Sequence, residues 1–250
     1  MDKTIIVIPY LALAAQGHEL QLAVAGWHKH FKEPHEVVIV GDFDENVIAA
    51  LGSLGTTFVD CMRVDPIDGQ YRPAIDHIHK FRRVRELFPN EKGFIYTCDD
   101  IYAVKDFTLD DVMIPKYPEI HTKWMEENDW DGKTDTWWGA RGYTAQLCRD
   151  AGLPVRDWVC HMPVYYEWDR LLDIFDRYDA DHHAIIPENI YFNMYAHVEA
   201  AQPATYWRDE VTTATPCLRP LGTVTWVTNQ NAGWSTKLEN ILKKHYEPFV

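Results

Sequence analysis

Two adjacent carboxylates, Asp99 and Asp100, follow the apolar stretch Gly93 to Thr97 (GFIYT), with only Cys98 between. Like charges this close are costly to hold together without a cation. Magnesium or manganese suits such a pair, because either ion takes one or two carboxylates and completes its shell with water and substrate phosphates. A nucleoside diphosphate supplies those oxygens, and the metal neutralises charge developing on a departing diphosphate. The other reading of the pair is a strand-end turn with an aspartate as helix cap.

Around this pair the chain offers several polar groups, each with a plainer alternative. Lys80 and Arg83 are three apart and share a helix face, so they can reach toward a diphosphate. They can equally form a solvated basic face with Arg82 and Arg85. Asp76 and His77 precede Lys80 on that helix and are placed to contact sugar hydroxyls. Arg72, in the run Gly69-Gln70-Tyr71-Arg72-Pro73, can grip a phosphate with two N–H groups or lie exposed in a turn. Tyr10 can stack on a nucleobase or pack in the core. Asp42 can accept from base or ribose, or form a Gly-Asp turn.

Three further groups belong to the second half. His161, just before Met162-Pro163, can move a proton or ligate a metal, or be structural. Glu188 can activate an acceptor hydroxyl, or serve as an acid favoured by a helix N-terminus. Trp124, Trp130, Trp137 and Trp138 can build an acceptor platform or lid, or cover a sheet edge. The histidine pairs 28/30 and 77/79 are two apart and do not converge on a helix, so no zinc spacing is present. No GxxxxGK[ST], GxSxG or GxGxxG occurs.

The elements that must position these groups alternate. Thr4 to Ile8 (TIIVI) and Glu36 to Val40 (EVVIV) read as buried parallel strands, the first ended by Pro9. Gly17–Phe31, Asn46–Leu54 and Ile75–Phe88 read as helices, Thr57–Val59 and Gly93–Thr97 as strands. This order indicates an α/β fold with a mainly parallel sheet flanked by helices. Pro115 to Gly142 is an irregular, aromatic-rich excursion. Thr144–Ala151 reads as a short helix, Arg156–Cys160 as a strand, Trp168–Tyr178 and Glu188–Tyr195 as helices. Thr223–Val227 is a late strand and Trp234–His245 a C-terminal helix.

The bulk numbers bound the possibilities. A length of 250 residues fits one α/β domain, residues 1–112 forming one half and 113–250 the other. The net charge of −14 repels nucleic-acid phosphates, so duplex nucleic acid is not expected as a partner. No stretch approaches the length of a membrane span. Five cysteines without a CxxC pair fit reduced thiols and a cytoplasmic protein.

The stretch HKFRRVRELFPNEKGFIYTCDDIYAV, with the openings IIVIPY and VVIVGD, resembles GT-A glycosyltransferases. The resemblance implies a Rossmann-like GT-A fold whose first half binds a nucleotide-sugar donor. It implies Mn2+ or Mg2+ on Asp99 and Asp100; Tyr10, Asp42, Arg72, His77, Lys80 and Arg83, read above from their own positions, are the candidate donor-side contacts. PENIYFN resembles that family's later acidic element, with Glu188 at its acid, so Glu188 joins His161, read above from its own position, as a catalytic candidate facing a glycan or other hydroxyl-bearing acceptor. Two departures stand out: the motif reads CDD rather than Asp-x-Asp, and Asn189 replaces the usual Asp. The blocks HELQLAVAGWHKHF, VVIVGD, FIYTCDDIY and His161-Met162-Pro163 also resemble Stealth capsule sugar-phosphate transferases, which would break a phosphoanhydride instead. A third possibility is a non-catalytic carbohydrate-binding protein on a transferase fold.

Overall fold

The computed structural model describes residues 3–63, 72–118, 136–196, 201–203, 206–209, 224–229 and 234–250. A five-stranded sheet runs in the order β3-β2-β1-β4-β7. It comprises β1 (Thr4–Leu11), β2 (His35–Asp42), β3 (Thr57–Asp60), β4 (Gly93–Tyr96) and β7 (Val164–Glu167). The first four are mutually parallel and β7 is antiparallel to β4. The α/β reading with a mainly parallel sheet is therefore the observed architecture. A second sheet, β5-β10-β9, joins β5 (Ile101–Ala103), β10 (Trp226–Asn229) and β9 (Tyr206–Asp209). A short parallel pair links β6 (Lys116–Tyr117) and β8 (Gln202–Pro203).

The described helices are α1 (Glu19–His30), α2 (Glu45–Gly52), α3 (Pro73–Leu87), α4 (Leu109–Met113), α5 (Trp137–Asp150), α6 (Trp168–Arg177), α7 (Pro187–Tyr195) and α8 (Thr236–Tyr246). Side chains alternate across β1 and β2. Ile5, Val7, Val38 and Val40 pack with Phe81 of α3, Phe175 of α6 and Phe192 of α7. Ile6, Ile8, Val37 and Ile39 face Val24 and Trp27 of α1 and Trp226 of β10. Both faces of the sheet are buried, which is why its strands read as continuous apolar runs. The second sheet is closed by α8, whose Leu238, Leu242 and Tyr246 meet Tyr102 and Val227.

Two sequence expectations are corrected. β1 does not stop at Pro9 but continues to Leu11, paired with β2 throughout. The carbonyl of Val7 accepts from Thr97 on the β4 side, so Pro9, two residues on, turns its missing N–H the same way. β4 has ended by then, and the absent donor costs no ladder bond. Arg156–Cys160 is not a strand. Its backbone is held by side chains of α7: Asn193 Oδ1 accepts from Arg156 N at 3.1 Å and Asn189 Oδ1 from Trp158 N at 2.7 Å. The strand beside β4 is Val164–Glu167 instead. In addition, α5 begins at Trp137, seven residues before the expected start.

Candidate active site

The carboxyl ends of β1, β2 and β4 share one edge of the sheet, the side on which open α/β sheets bind ligands. β4 leads into a turn whose closing hydrogen bond runs from Ile101 N to Cys98 O at 3.4 Å, and Asp99 and Asp100 are its central residues. The turn is anchored on the β4 side by Thr97 N, which donates to Val7 O at 3.1 Å. On the far side, Asn229 N donates to Asp100 O at 3.3 Å. The turn thus carries the chain from the central sheet to the second one. The helix-cap reading of the pair does not apply, since the element that follows is a strand.

The edge is crowded with acids. Burial, then the charge of Glu19, pushes the Asp99 carboxyl up to about 7. The Tyr10 phenol is pushed up to about 12, first by burial and then by Asp99, Asp44, Asp42 and Glu19. These shifts place five acidic or phenolic groups in one electrostatic neighbourhood. Asp42 Oδ1 accepts from Ala12 N at 2.9 Å, tying the segment after β1 to the end of β2. Close backbone approach here requires glycine: a Cβ on Gly41 would run into the Tyr10 carbonyl. Asp44 caps α2 by accepting from Asn46 N and Val47 N.

Glu188 enters from α7, in the helix's first turn, and is 7% exposed. Burial pushes its carboxyl up to about 7, opposed by Arg141 and assisted by Asp157. Burial above all, then neighbouring charges with Glu188 among the smaller ones, raises the Cys98 thiol and the Tyr96 phenol, and α7 packs through Ile190, Tyr191 and Phe192 into the cluster that holds Tyr96 and Cys98. Asp157 and Arg141 form a buried ion pair beside Glu188, and the Arg141 guanidinium lies 4.7 Å from the Trp138 ring centroid. His77 is held in the same region by the rings of Phe81, Tyr96 and Trp137. Its Nδ1 lies 3.4 Å from the Tyr96 hydroxyl, which is also 3.2 Å from Cys98 Sγ. Burial lowers His77 to about 4, so the ring is neutral at pH 7.

The structure thus brings Tyr10, Asp42 and Asp99 into one charged neighbourhood, and it links His77 to Cys98 through the Tyr96 hydroxyl. The basic residues of α3 are disposed otherwise. Lys80 is 1% exposed and donates to Asp76 Oδ2 at 2.7 Å and to the Tyr10 carbonyl at 2.8 Å. It clamps the end of β1 from beneath, and those bonds commit its ammonium. Arg83 is exposed and pairs with Glu86 at 2.7 Å. Helix periodicity put the two on adjacent lines, but burial separates them. Arg82 is bound by Asp176 and Asp181. Arg72 occupies the N-cap position of α3; residues 69–71 lie outside the described residues, as do Trp124 and Trp130. Trp137 lies against His77 and Trp138 is half exposed. His161 adopts a left-handed backbone, φ 45°, uncommon for a residue with a side chain.

Two site residues were not singled out from the sequence. Glu19, at the start of α1, is a buried carboxylate that accepts from Gln16 N at 2.9 Å and from Asn229 Nδ2 at 2.7 Å. They are 210 positions apart, and only an acid opening a helix hinted at Glu19. Among the described residues, no group of three or more His, Cys, Asp or Glu is arranged to hold a metal. Two oxygen-donor carboxylates, one of them raised to about 7 chiefly by burial, nonetheless match the small protein share of a Mg2+ or Mn2+ shell. Cys61, Cys98, Cys148 and Cys160 are free thiols. No described helix is long and apolar enough to cross a membrane.

No protein-family model and no curated protein sequence matches this chain. Among solved structures, it is similar to the apo-form glycosyltransferase GlyE of Streptococcus pneumoniae TIGR4, at 11% identity and TM-score 0.41. That match covers 98% of this chain and 60% of GlyE. It is also similar to the galactosyltransferase LgtC in complex with donor and acceptor sugar analogs, at 11% identity and TM-score 0.46, covering 96% and 95% of the two chains. The chain therefore spans about three fifths of the length of GlyE and nearly all of LgtC.

Proposed function

We propose that this protein is a metal-dependent glycosyltransferase that moves a sugar from a nucleotide-sugar donor to an acceptor hydroxyl, in the cytoplasm. The observation that carries the reading is the pairing of two features at one sheet edge. One is a turn presenting Asp99 and Asp100; the other is a buried glutamate, Glu188, on α7, the helix that packs into the same core cluster as Tyr96 and Cys98 at the end of β4. Mn2+ or Mg2+, held by Asp99 and Asp100, would supply Lewis-acid stabilisation of the departing nucleoside diphosphate. Tyr10 and Asp42, at the ends of β1 and β2, are disposed toward base and ribose. Glu188 takes the proton of the attacking hydroxyl, and a carboxyl titrating near 7 is well matched to that task at neutral pH. Residues 113–195 form the acceptor side, where Trp138 offers an exposed ring to an apolar sugar face.

The test is thermal stability with a panel of nucleotide-sugars, with and without Mn2+, for the wild type and for Asp99→Asn/Asp100→Asn. A ligand that binds only the native state adds about 2.7 kcal/mol at a hundredfold excess over its dissociation constant. The expected result is a metal-dependent shift with one donor, absent in the variant. Release of the nucleoside diphosphate on turnover then follows; release of the monophosphate would make the enzyme a sugar-phosphate transferase. A folded wild type that shifts with no donor overturns the proposal.

A further inference from the structure

The Asp99-Asp100 turn hangs between two sheets, and only one side of it rests on the central strand β4. The other side ends at Asn229, the last residue of β10, which is 1% exposed. Asn229 uses its backbone N–H and both polar atoms of its side chain at this point. Its backbone N–H donates to Asp100 O at 3.3 Å. Its Oδ1 accepts from the Tyr102 hydroxyl at 2.7 Å, and its Nδ2 donates to Glu19 Oε1 at 2.7 Å. Tyr102 is fully buried on β5, two residues beyond the turn, and Glu19 opens α1. β5 and β10 are themselves registered by pairing of Ile101 with Thr228. One side chain therefore fixes, relative to one another, the strand that leaves the turn, the helix beside it and the central strand of the second sheet.

A buried polar network of this kind is stable only when its members are satisfied together. Removing one partner leaves a buried carboxylate or hydroxyl without its bond. We infer that Glu19, Asn229 and Tyr102 are positioning residues that hold the Asp99-Asp100 turn in its ion-binding shape. This inference rests on the metal-dependent reading of the site proposed above. The three residues need not touch the ion; they set the spacing of the two carboxylates that do.

The experiment is Mn2+ binding to the full chain, read by electron paramagnetic resonance in the presence of a nucleoside diphosphate. The variants are Asn229→Ala and Tyr102→Phe, with Leu238→Ala as a control. Leu238 is buried in the same packing cluster as Tyr102, on α8, so its truncation loosens the second sheet without touching the network. Asn229→Ala is expected to weaken Mn2+ about tenfold, equivalent to 1.4 kcal/mol. Tyr102→Phe, which alters only one hydroxyl and keeps the ring packing, is expected to weaken it about threefold. Leu238→Ala is expected to lower the melting temperature and leave the Mn2+ dissociation constant unchanged. Mn2+ affinity within twofold of wild type for a folded Tyr102→Phe overturns the inference, and so does an equal loss in Leu238→Ala. A wild type that binds no Mn2+ overturns both this inference and the function on which it rests, whereas unaffected variants of a Mn2+-binding wild type overturn this inference alone.

Discussion

Replacing Glu188 with Gln should make the protein more stable at alkaline pH while abolishing turnover. Glu188 is 7% exposed, and burial raises its carboxyl to about 7 from the ordinary 4.5. The native state therefore holds this proton more tightly than the unfolded chain does. Its contribution to stability is complete below pH 4.5 and is lost as pH rises through about 7. The difference of the two values corresponds to about 3 kcal/mol. Glutamine has the shape of the protonated acid and never ionises. The variant should match wild type near pH 4.5 and exceed it by about 3 kcal/mol at pH 8. Asp99 is raised in the same window, so the quantity to follow is variant minus wild type, in which the Asp99 contribution cancels. Urea unfolding at half-unit steps from pH 4.5 to 8 provides it. An offset that stays constant across the window, or a variant less stable than wild type at pH 8, refutes the claim that Glu188 is held desolvated. Full turnover by the variant would remove Glu188 from the role of base.

Asp76→Asn should cost about 3–5 kcal/mol, because it strands the Lys80 ammonium in the interior. Asp76→Leu with Lys80→Met should cost less than the sum of its singles; urea melts decide, and strict additivity would speak against a buried pair. Donor binding with Mn2+ should strengthen about tenfold per pH unit up to about 7 and then level off. The reason is that Asp99 must lose the proton it holds up to about 7 before it can ligate. Calorimetric titration between pH 5.5 and 8 checks this, and a flat profile contradicts it. Asn189→Ala should cost about 1–3 kcal/mol by orphaning the buried amide of Trp158. Faster hydrogen exchange at that amide is the expected signature, and unchanged exchange would show that the bond does not hold the segment.

The parts of this molecule that announce themselves in sequence are those whose partners are near in the chain or interchangeable. TIIVI and EVVIV read as strands because both faces of the central sheet are buried, and any apolar neighbour satisfies them. The helix before β4, and the arrival of Asp99 and Asp100 at its end, follow from local periodicity. Arg156–Cys160 has the composition of a strand, but its hydrogen bonds come from two asparagines spaced one turn apart on α7. Nothing within those five residues states that. The same fact gives Asn189 a positive role. Where the GT-A acidic element that PENIYFN resembles has an aspartate, this chain carries an amide whose oxygen holds the Trp158 backbone, which leaves Glu188 as the only ionisable side chain of that pair. Lys80 is the converse case. Its spacing from Arg83 suggested a shared basic face, whereas its spacing from Asp76, one turn earlier, decides its fate as a buried clamp under Tyr10. Periodicity cannot rank those two neighbours, because the outcome depends on the Tyr10 carbonyl, 70 residues away. The edge of this sheet therefore combines a locally written element, the carboxylate turn, with supports assembled from distant residues. Those supports, Glu19 and Asn229 above all, lie where single-sequence reasoning loses its grip.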